Sequence, residues 1–142
     1  MKKKAIIVSG YFNPLHKGHI EYFHKAKSKG DLLFVIINND NQRRLKGSQE
    51  FMDEKERLLL VNELRVVDKT FMSTDQDRSV CLTLEELYKE YSTRYEIIFA
   101  NGGDQNNNSI PEFAICKKYG ILLLDGLGEK IQSSSWILTK RK

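Results

Sequence analysis

Two short apolar runs, separated by one amphipathic segment, lie in the first 37 residues and restrict the fold more than any other feature. Residues 5–9 and Asp31–Ile37 are compact and rich in β-branched or aromatic side chains, as buried strands are. Between them, His19–Lys29 repeats its apolar side chains on one helical face and is followed by Gly30, a helix-stop signal. This β-α-β unit predicts parallel strands joined by a right-handed crossover, with the first loop at the carboxyl edge of the sheet.

The rest of the chain continues the alternation of strands and helices. The stretch 38–50 is polar and contains a glycine, which predicts a mobile loop. Further helices are predicted from Asp53 to Arg65, after Ser79, from residues 109–112 to Tyr119 before Gly120, and after residues 133–135. Further strands are predicted at Val66–Met72, Glu96–Ala100 and Ile121–Asp125. We therefore predict one Rossmann-like, doubly wound α/β domain over residues 1–142, with a mostly parallel sheet flanked by helices.

Three polar stretches, at residues 10–19, 101–104 and 133–135, each follow a predicted strand. In an open parallel sheet, ligands bind at the carboxyl ends of the strands, near the point where the strand order reverses. The three stretches can therefore share one rim of the sheet, and we predict the binding site there.

The stretch at residues 10–19 (GYFNPLHKGH) contains two of the three histidines of the chain. His16 and His19 are three residues apart, so both rings can face one side of the first helical turn. Gly18 between them lets an anion approach the backbone, and the unpaired N–H groups of a helix start favour phosphate. The alternatives are ordinary loop or capping histidines, or a zinc site; zinc needs a third ligand, and His24 lies off that face. We therefore predict an anion site without a protein-bound metal.

Charge and apolar content argue against several classes of protein. A net charge of +4 and a pI near 9.0 favour anionic partners, but the basic residues are scattered, so a nucleic-acid surface is not predicted. No apolar run approaches the ~18 residues of a membrane span, and the basic start MKKK precedes only four apolar residues. We expect no membrane partner and a cytoplasmic location, with Cys81 and Cys116 as reduced thiols.

The pattern G-x-F-x-P-x-H-x-G-H after the first strand resembles the signature of the H-x-G-H nucleotidyltransferase superfamily. That superfamily includes glycerol-3-phosphate cytidylyltransferases, heptose-phosphate adenylyltransferases and nicotinamide-nucleotide adenylyltransferases. An R-L-K-G loop, an E-x-R helix, V-D, G-G-D and a serine-rich motif follow in the family's order along nearly the whole chain. The resemblance implies in-line transfer of a nucleotidyl group from a nucleoside triphosphate to a phosphorylated small molecule, with release of pyrophosphate. Catalysis would then rest on positioning and electrostatic stabilisation, without a covalent intermediate.

The resemblance also implies a role for each residue that matches a family motif. His16 and His19 would contact the triphosphate and stabilise the transition state, and Lys46 would close over the phosphates as the third catalytic residue. The nucleotide would contact Gly10, Tyr11, Phe12, Gly18, Gly102, Asp104, Ser133, Ser134 and Ser135. Arg57 and Arg65 would contact the acceptor or a phosphate, and Mg²⁺ would accompany the triphosphate. The plainer alternatives are solvated charges for Lys46 and Arg57, a turn for the glycines and helix caps for the serines.

Some positions depart from the pattern of the cytidylyltransferases. Asn13 stands where many of them carry Asp, and Trp136 follows the serines where a basic residue is common. Asn13-Pro14 looks like the nicotinamide-nucleotide enzymes, Arg65–Asp68 resembles the R-Y-V-D of cytidylyltransferases, and Gly102–Asp104 resembles the heptose-phosphate enzymes. The motifs favour CTP only slightly over ATP, so transfer of CMP or of AMP to a phosphorylated alcohol or sugar stays open. A second hypothesis is a nucleotide-binding sensor domain without the chemistry. The family also implies a homodimer.

Overall fold

The computed structural model describes residues 2–100 and 110–124, in which strands and helices alternate. The strands are β1 (Lys3–Gly10), β2 (Leu32–Ile37), β3 (Lys69–Met72), β4 (Tyr95–Ala100) and β5 (Leu122–Leu124). The helices are α1 (Lys17–Lys27), α2 (Asp40–Lys46), α3 (Glu54–Asn62), α4 (Cys81–Tyr91) and α5 (Phe113–Tyr119). These strands form one sheet in the order β3-β2-β1-β4-β5, and every pairing is parallel. The predicted Rossmann-like α/β fold is confirmed.

Strand β1 lies at the centre of the sheet and defines the place where the strand order reverses. It pairs with β2 up to Gly10 and Ile37, and on its other side with β4 up to Ile7 and Phe99. The chain moves outward from β1 through β2 to β3, and then returns to the other side of β1 as β4. The carboxyl ends of β1 and β4 therefore border the crevice where ligands bind in such sheets.

Both faces of the sheet are covered, and each face has its own hydrophobic core. Helices α1 and α3 contribute Phe23 and Val61 to one core, whereas α4 and α5 contribute Leu84 and Cys116 to the other. Along β2 the side chains alternate between the two cores, so the whole strand is apolar, as expected for a doubly covered parallel sheet. Cys116 is buried, and both Cys116 and Cys81 are free thiols. No helix in the described residues is long and apolar enough to cross a membrane.

The prediction of a mobile loop at residues 38–50 is wrong, because this stretch contains helix α2. Asn39 caps the start of the helix by accepting from the backbone N–H of Gln42, and Gly47 ends it with a left-handed φ of 84°. The helix has no apolar stripe because Gln42 and Arg43 form its buried face. A search for apolar periodicity therefore misses it, although both of its caps are visible in the sequence.

Three other predicted helix starts differ from the structure. Helix α5 begins at Phe113, with Glu112 as its N-cap residue, and not within residues 109–112. Helix α1 begins earlier than predicted, because His16 caps it and the backbone is helical from Lys17. The N-cap residue of α4 is Val80 and not Ser79. The Ser79 hydroxyl still accepts from the backbone N–H of Cys81, and the carboxylate of Asp75 accepts from two further backbone N–H groups of the first turn. The predicted helix after residues 133–135 lies outside the described residues.

Candidate active site

The turn that follows β1 is shaped by Gly10 and Phe12. Phe12 has a φ of 54°, which turns its ring inward, and only 3% of the residue is exposed. A Cβ atom on Gly10 would lie 2.8 Å from that ring, so the glycine leaves the space that the ring occupies. The ring meets the His19 ring edge-on, with 5.0 Å between their centroids. Gly10 therefore leaves room for the Phe12 ring, and that ring packs against the ring of His19.

His16 and His19 cap the start of α1 together. Nδ1 of His16 accepts from the backbone N–H of Gly18 at 3.0 Å, and Nδ1 of His19 accepts from the backbone N–H of His16 at 3.1 Å. The two ring centroids are 3.8 Å apart. A neutral imidazole has one accepting and one donating nitrogen, so these bonds assign the proton of each ring to Nε2. The cap thus produces two adjacent Nε2–H donors at one helix start.

Both histidines stay neutral at pH 7. Burial, followed by repulsion from the His16 ring when that ring is protonated, lowers the pKa of His19 to about 3, and burial also lowers the pKa of His16. Nε2 of His16 is buried and has no hydrogen-bond partner among the described residues. An unpaired buried donor costs about 1–3 kcal/mol, so an accepting group is expected there. With the positive end of the α1 dipole, the turn is suited to an anion.

Arg57 lies behind this turn and is completely buried. Its guanidinium donates to the backbone oxygens of Met52, Tyr11 and Asn38 at 2.7–3.0 Å, and to a carboxylate oxygen of Asp40 at 2.8 Å. Four of the five N–H donors of an arginine are therefore used inside the protein. Arg57 therefore joins the ends of β1 and β2. Among the described residues, one of its N–H groups remains for the predicted contact with the acceptor or a phosphate.

Asn13 joins the same turn to the segment after α2. Its Nδ2 donates to the backbone oxygen of Gln49 at 2.6 Å, and its Oδ1 accepts from the backbone N–H groups of Phe51 and Met52 at 2.8 and 3.0 Å. A carboxylate can accept both N–H groups but cannot donate to Gln49. The departure from the cytidylyltransferase pattern at this position therefore has a structural role.

Lys46 and Tyr11 meet at the carboxyl edge of the sheet. The Nζ of Lys46 is 4.6 Å from the centroid of the Tyr11 ring. Burial raises the pKa of Tyr11, and burial together with the charge of Arg78 lowers the pKa of Lys46. Lys46 is thus beside the turn, as a residue that contacts phosphate must be.

Arg65 is the predicted site residue that the structure does not bring to this edge. It is exposed and lies between α3 and β3, at the amino edge of the sheet. Asp68, three residues later, accepts from the backbone N–H of Leu33 near the start of β2 and pairs with Lys27. Helix α3 runs antiparallel to the strands, so its end lies at the opposite edge. Within one chain, Arg65 therefore lies away from the β1 turn, and its contact with the acceptor or a phosphate stays a prediction.

The predicted contacts of Gly102, Asp104, Ser133, Ser134 and Ser135 lie outside the described residues. Among the residues that are described, no group of three or more His, Cys, Asp or Glu side chains is placed to hold a metal ion.

Sequence reasoning also missed Gln42, whose buried side chain joins α2 to the segment after β3. The capping box of Asn39 and Gln42 is a visible signal for it, because an Asn three residues before a Gln marks a helix start.

A parallel sheet whose central strand leads into a helix start with two N–H donors is an arrangement that Rossmann-like proteins use to bind phosphate groups. The chain matches the family described as "Cytidylyltransferase-like" over residues 7–119. It therefore belongs to the cytidylyltransferase-like family, which confirms the superfamily resemblance.

Relatives of known name support this placement. An FAD synthase of Picrophilus torridus is 32% identical over 117 residues, covering 82% of this chain and 77% of that protein. An FAD synthase of Thermoplasma volcanium is 38% identical over 72 residues, which cover 51% of this chain and 51% of that protein. The bifunctional protein HldE of Helicobacter pylori is 44% identical over 69 residues, which cover 47% of this chain and 15% of that protein. The chain thus spans about half the length of that Thermoplasma relative and a small part of HldE.

A solved structure is also similar. The crystal structure of a lipopolysaccharide core biosynthesis protein from Thermoplasma volcanium has a TM-score of 0.64 and 28% identity, covering 87% of this chain and 93% of that chain. The similarity extends over most of both chains.

Proposed function

We propose that this protein is a nucleotidyltransferase that moves a nucleotidyl group from a nucleoside triphosphate to a phosphorylated small molecule and releases pyrophosphate. The observation that carries the proposal is the pair of Nε2–H donors that His16 and His19 present at the start of α1. Membership of the cytidylyltransferase-like family supports it.

The proposed reaction needs donors and no protein nucleophile. An oxygen of the acceptor phosphate forms a bond to the α-phosphorus, and the bond from that phosphorus to pyrophosphate breaks. Negative charge grows on the phosphoryl oxygens, where the two neutral imidazoles donate hydrogen bonds and Lys46 adds a positive charge. The reciprocal cap holds both rings in place before the substrate arrives, so little reorganisation is needed during the reaction.

The donor and the acceptor are further parts of the proposal. The sequence motifs slightly favour CTP, whereas FAD, the product in the name of the FAD synthase relatives, contains an adenosine nucleotide and favours ATP. The proposed acceptor is a phosphorylated alcohol, polyol or sugar. We therefore propose CTP and ATP as the two donors to compare first.

Mg²⁺ fits this proposal as a companion of the triphosphate. Mg²⁺ keeps several waters and binds substrate phosphates more often than all-protein cages. The described residues form no such cage, and the anion site of His16 and His19 is made of donors that face phosphate oxygens. The ion would neutralise part of the triphosphate charge, and no protein ligand is assigned to it.

The test is release of pyrophosphate from each of the four nucleoside triphosphates with a panel of phosphorylated alcohols and sugars. We expect release with ATP or CTP and one acceptor class. Binding of a triphosphate without release from any pair would favour the sensor hypothesis instead. A thermal shift would detect that binding, because a ligand at about 100 times its Kd stabilises the fold by ~2.7 kcal/mol.

The homodimer and the cytoplasmic location stay predictions from the sequence and the resemblance. Light scattering on the purified protein measures the mass in solution, and a monomer at assay concentration would contradict the first.

A further inference from the structure

Helix α2 buries no apolar side chain, and polar contacts attach it to the rest of the protein. Nδ2 of Asn39 donates to the backbone oxygens of Ser73 and Asp75 at 3.0 and 3.1 Å. Asp40 and Glu54 are paired reciprocally, because the backbone N–H of each donates to the carboxylate of the other at 2.8 and 3.1 Å. These contacts hold the beginning of the helix.

Gln42 attaches the middle of α2 to the segment after β3. Its side chain is completely buried, and Nε2 donates to the backbone oxygens of Asp77 and Ser79 at 2.6 and 2.8 Å. Oε1 accepts from Nδ2 of Asn38 at 3.1 Å and from the backbone N–H of Asn39 at 2.9 Å. Both N–H donors and both lone-pair sites of the amide are therefore used. Moving α2 away from this segment breaks the two bonds to Asp77 and Ser79, so the amide opposes that movement.

Lys46 lies one helical turn after Gln42. Residues four apart in a helix are neighbours on one face, so the position of Gln42 determines the position of Lys46. Tyr11 contacts both, because its hydroxyl donates to the backbone oxygen of Gln42 at 3.4 Å and its ring centroid is 4.6 Å from Nζ of Lys46. A helix that is attached through Gln42 therefore holds Lys46 over the Tyr11 ring.

We propose that Gln42 is a positioning residue, which keeps Lys46 beside the turn after β1 before any ligand binds. The role of Lys46 at the phosphates rests on the proposed function. The sequence predicts a lysine that closes over the phosphates from a mobile loop, and ordering such a loop on binding weakens the apparent affinity. In the structure α2 is already formed and attached, so a triphosphate meets a lysine that is in place.

The first test measures amide hydrogen exchange in the ligand-free protein. We expect the amides of residues 43–46 to be protected in the wild-type protein. Gln42→Met should speed their exchange by about tenfold or more, because the net contribution of one hydrogen bond corresponds to roughly tenfold in an equilibrium constant. Asn41→Met is the matched control, since Asn41 is exposed on the same helix and loses an amide in the same replacement. Unprotected wild-type amides, or equal acceleration in the two variants, would overturn the inference.

A second variant separates attachment from capping, and it also serves if Gln42→Met does not fold. Gln42→Glu keeps an oxygen that can accept from the backbone N–H of Asn39, but its carboxylate cannot donate to Asp77 and Ser79. We expect the α2 amides of this variant to exchange faster than those of the wild-type protein. Wild-type protection in Gln42→Glu would show that the cap alone holds α2, and would overturn the inference.

The second test asks whether Gln42 acts through Lys46. Calorimetric titrations with ATP and with CTP are compared for the wild-type protein, Gln42→Met, Lys46→Met and the double variant. We expect Gln42→Met to weaken triphosphate binding by about tenfold when Lys46 is present, and to have little further effect in the Lys46→Met protein. A purely structural role would weaken binding equally in both backgrounds, and that result would overturn the positioning role.

The two tests distinguish this inference from the proposed function. Protection of α2 that depends on Gln42, in a protein that binds neither triphosphate and releases no pyrophosphate, would retain the attached helix and reject the proposed function. Release of pyrophosphate by a protein whose α2 amides are unprotected without ligand would retain the proposed function and reject the role of Gln42.

Discussion

The carboxyl and amino edges of the sheet are held together by different kinds of contact. At the carboxyl edge, the buried polar side chains of Asn38, Gln42 and Arg57 tie loops together. At the amino edge, exposed Asp31 and Asp68 accept from backbone N–H groups at the starts of β1 and β2. A buried polar group stabilises only when it is fully hydrogen-bonded, so such networks are demanding to build. Their position at one edge indicates that this edge is built to hold loops in a defined geometry.

The largest expected effect comes from the buried arginine. Replacing Arg57 with Met removes the guanidinium that donates to Oδ1 of Asp40 and to three backbone oxygens, and we expect the free energy of unfolding to fall by about 3–5 kcal/mol. Arg65→Met at the amino edge is the control, with an expected change within about 0.5 kcal/mol. Urea denaturation measures both variants. Similar losses of unfolding free energy in the two variants would contradict the difference between the carboxyl and amino edges.

The next effect separates capping from catalysis at the two histidines. In His16→Asn or His19→Asn the new Oδ1 can accept the same backbone N–H, but the Nε2–H donor is lost. We expect turnover to fall by about 10² or more while the unfolding midpoint is kept, the usual scale for removing one preorganised donor. The alanine variants should lose the cap as well, at a cost of ~1 kcal/mol. Full pyrophosphate release by both asparagine variants would contradict the proposed role.

The stability of the β1 turn should depend on pH through His19. The unfolded chain takes up a proton near pH 6.5, whereas the folded protein does so only near pH 3. The unfolded state therefore binds more protons in this window, so stability is lost as pH falls from about 6.5 towards 3. Denaturation at a series of pH values measures the slope, and His19→Asn should reduce it. An unchanged slope in that variant would assign the effect to other groups.

The smallest expected effect concerns the contact between the β1 turn and the segment after α2. Asn13→Asp removes the bond from Nδ2 to Gln49 and places a carboxylate against that carbonyl. We expect the free energy of unfolding, measured by urea denaturation, to fall by ~1 kcal/mol, the typical value of one hydrogen bond. The matched control is Asn62→Asp at an exposed position of α3, because Oδ1 of Asn62 accepts from the Thr70 hydroxyl and a carboxylate can keep that bond. An equal change in both variants would show that Asn13 adds no specific contact.

Elements defined by local signals could be predicted from the sequence. The apolar runs of β1, β2 and β4 mark buried strands, Asp53 caps α3 as expected, and Gly120 ends α5 with a left-handed φ of 74°. Helix α2 was missed because the side chains on its buried face are polar and are stabilised by distant partners. A pattern of polar residues does not indicate the buried face of a helix unless the distant hydrogen-bond partners of those residues are known.

The sequence by itself determined the alternation of strands and helices and the motif that places two histidines after β1, because both depend on neighbours within a few residues. Only the tertiary structure decided what the charged residues do. Arg57 is buried because its acceptors include Tyr11, 46 positions away, and Arg65 lies at the far edge because α3 runs against the strands. The free energy of a charge depends on the groups around it, and those groups are brought together by the fold.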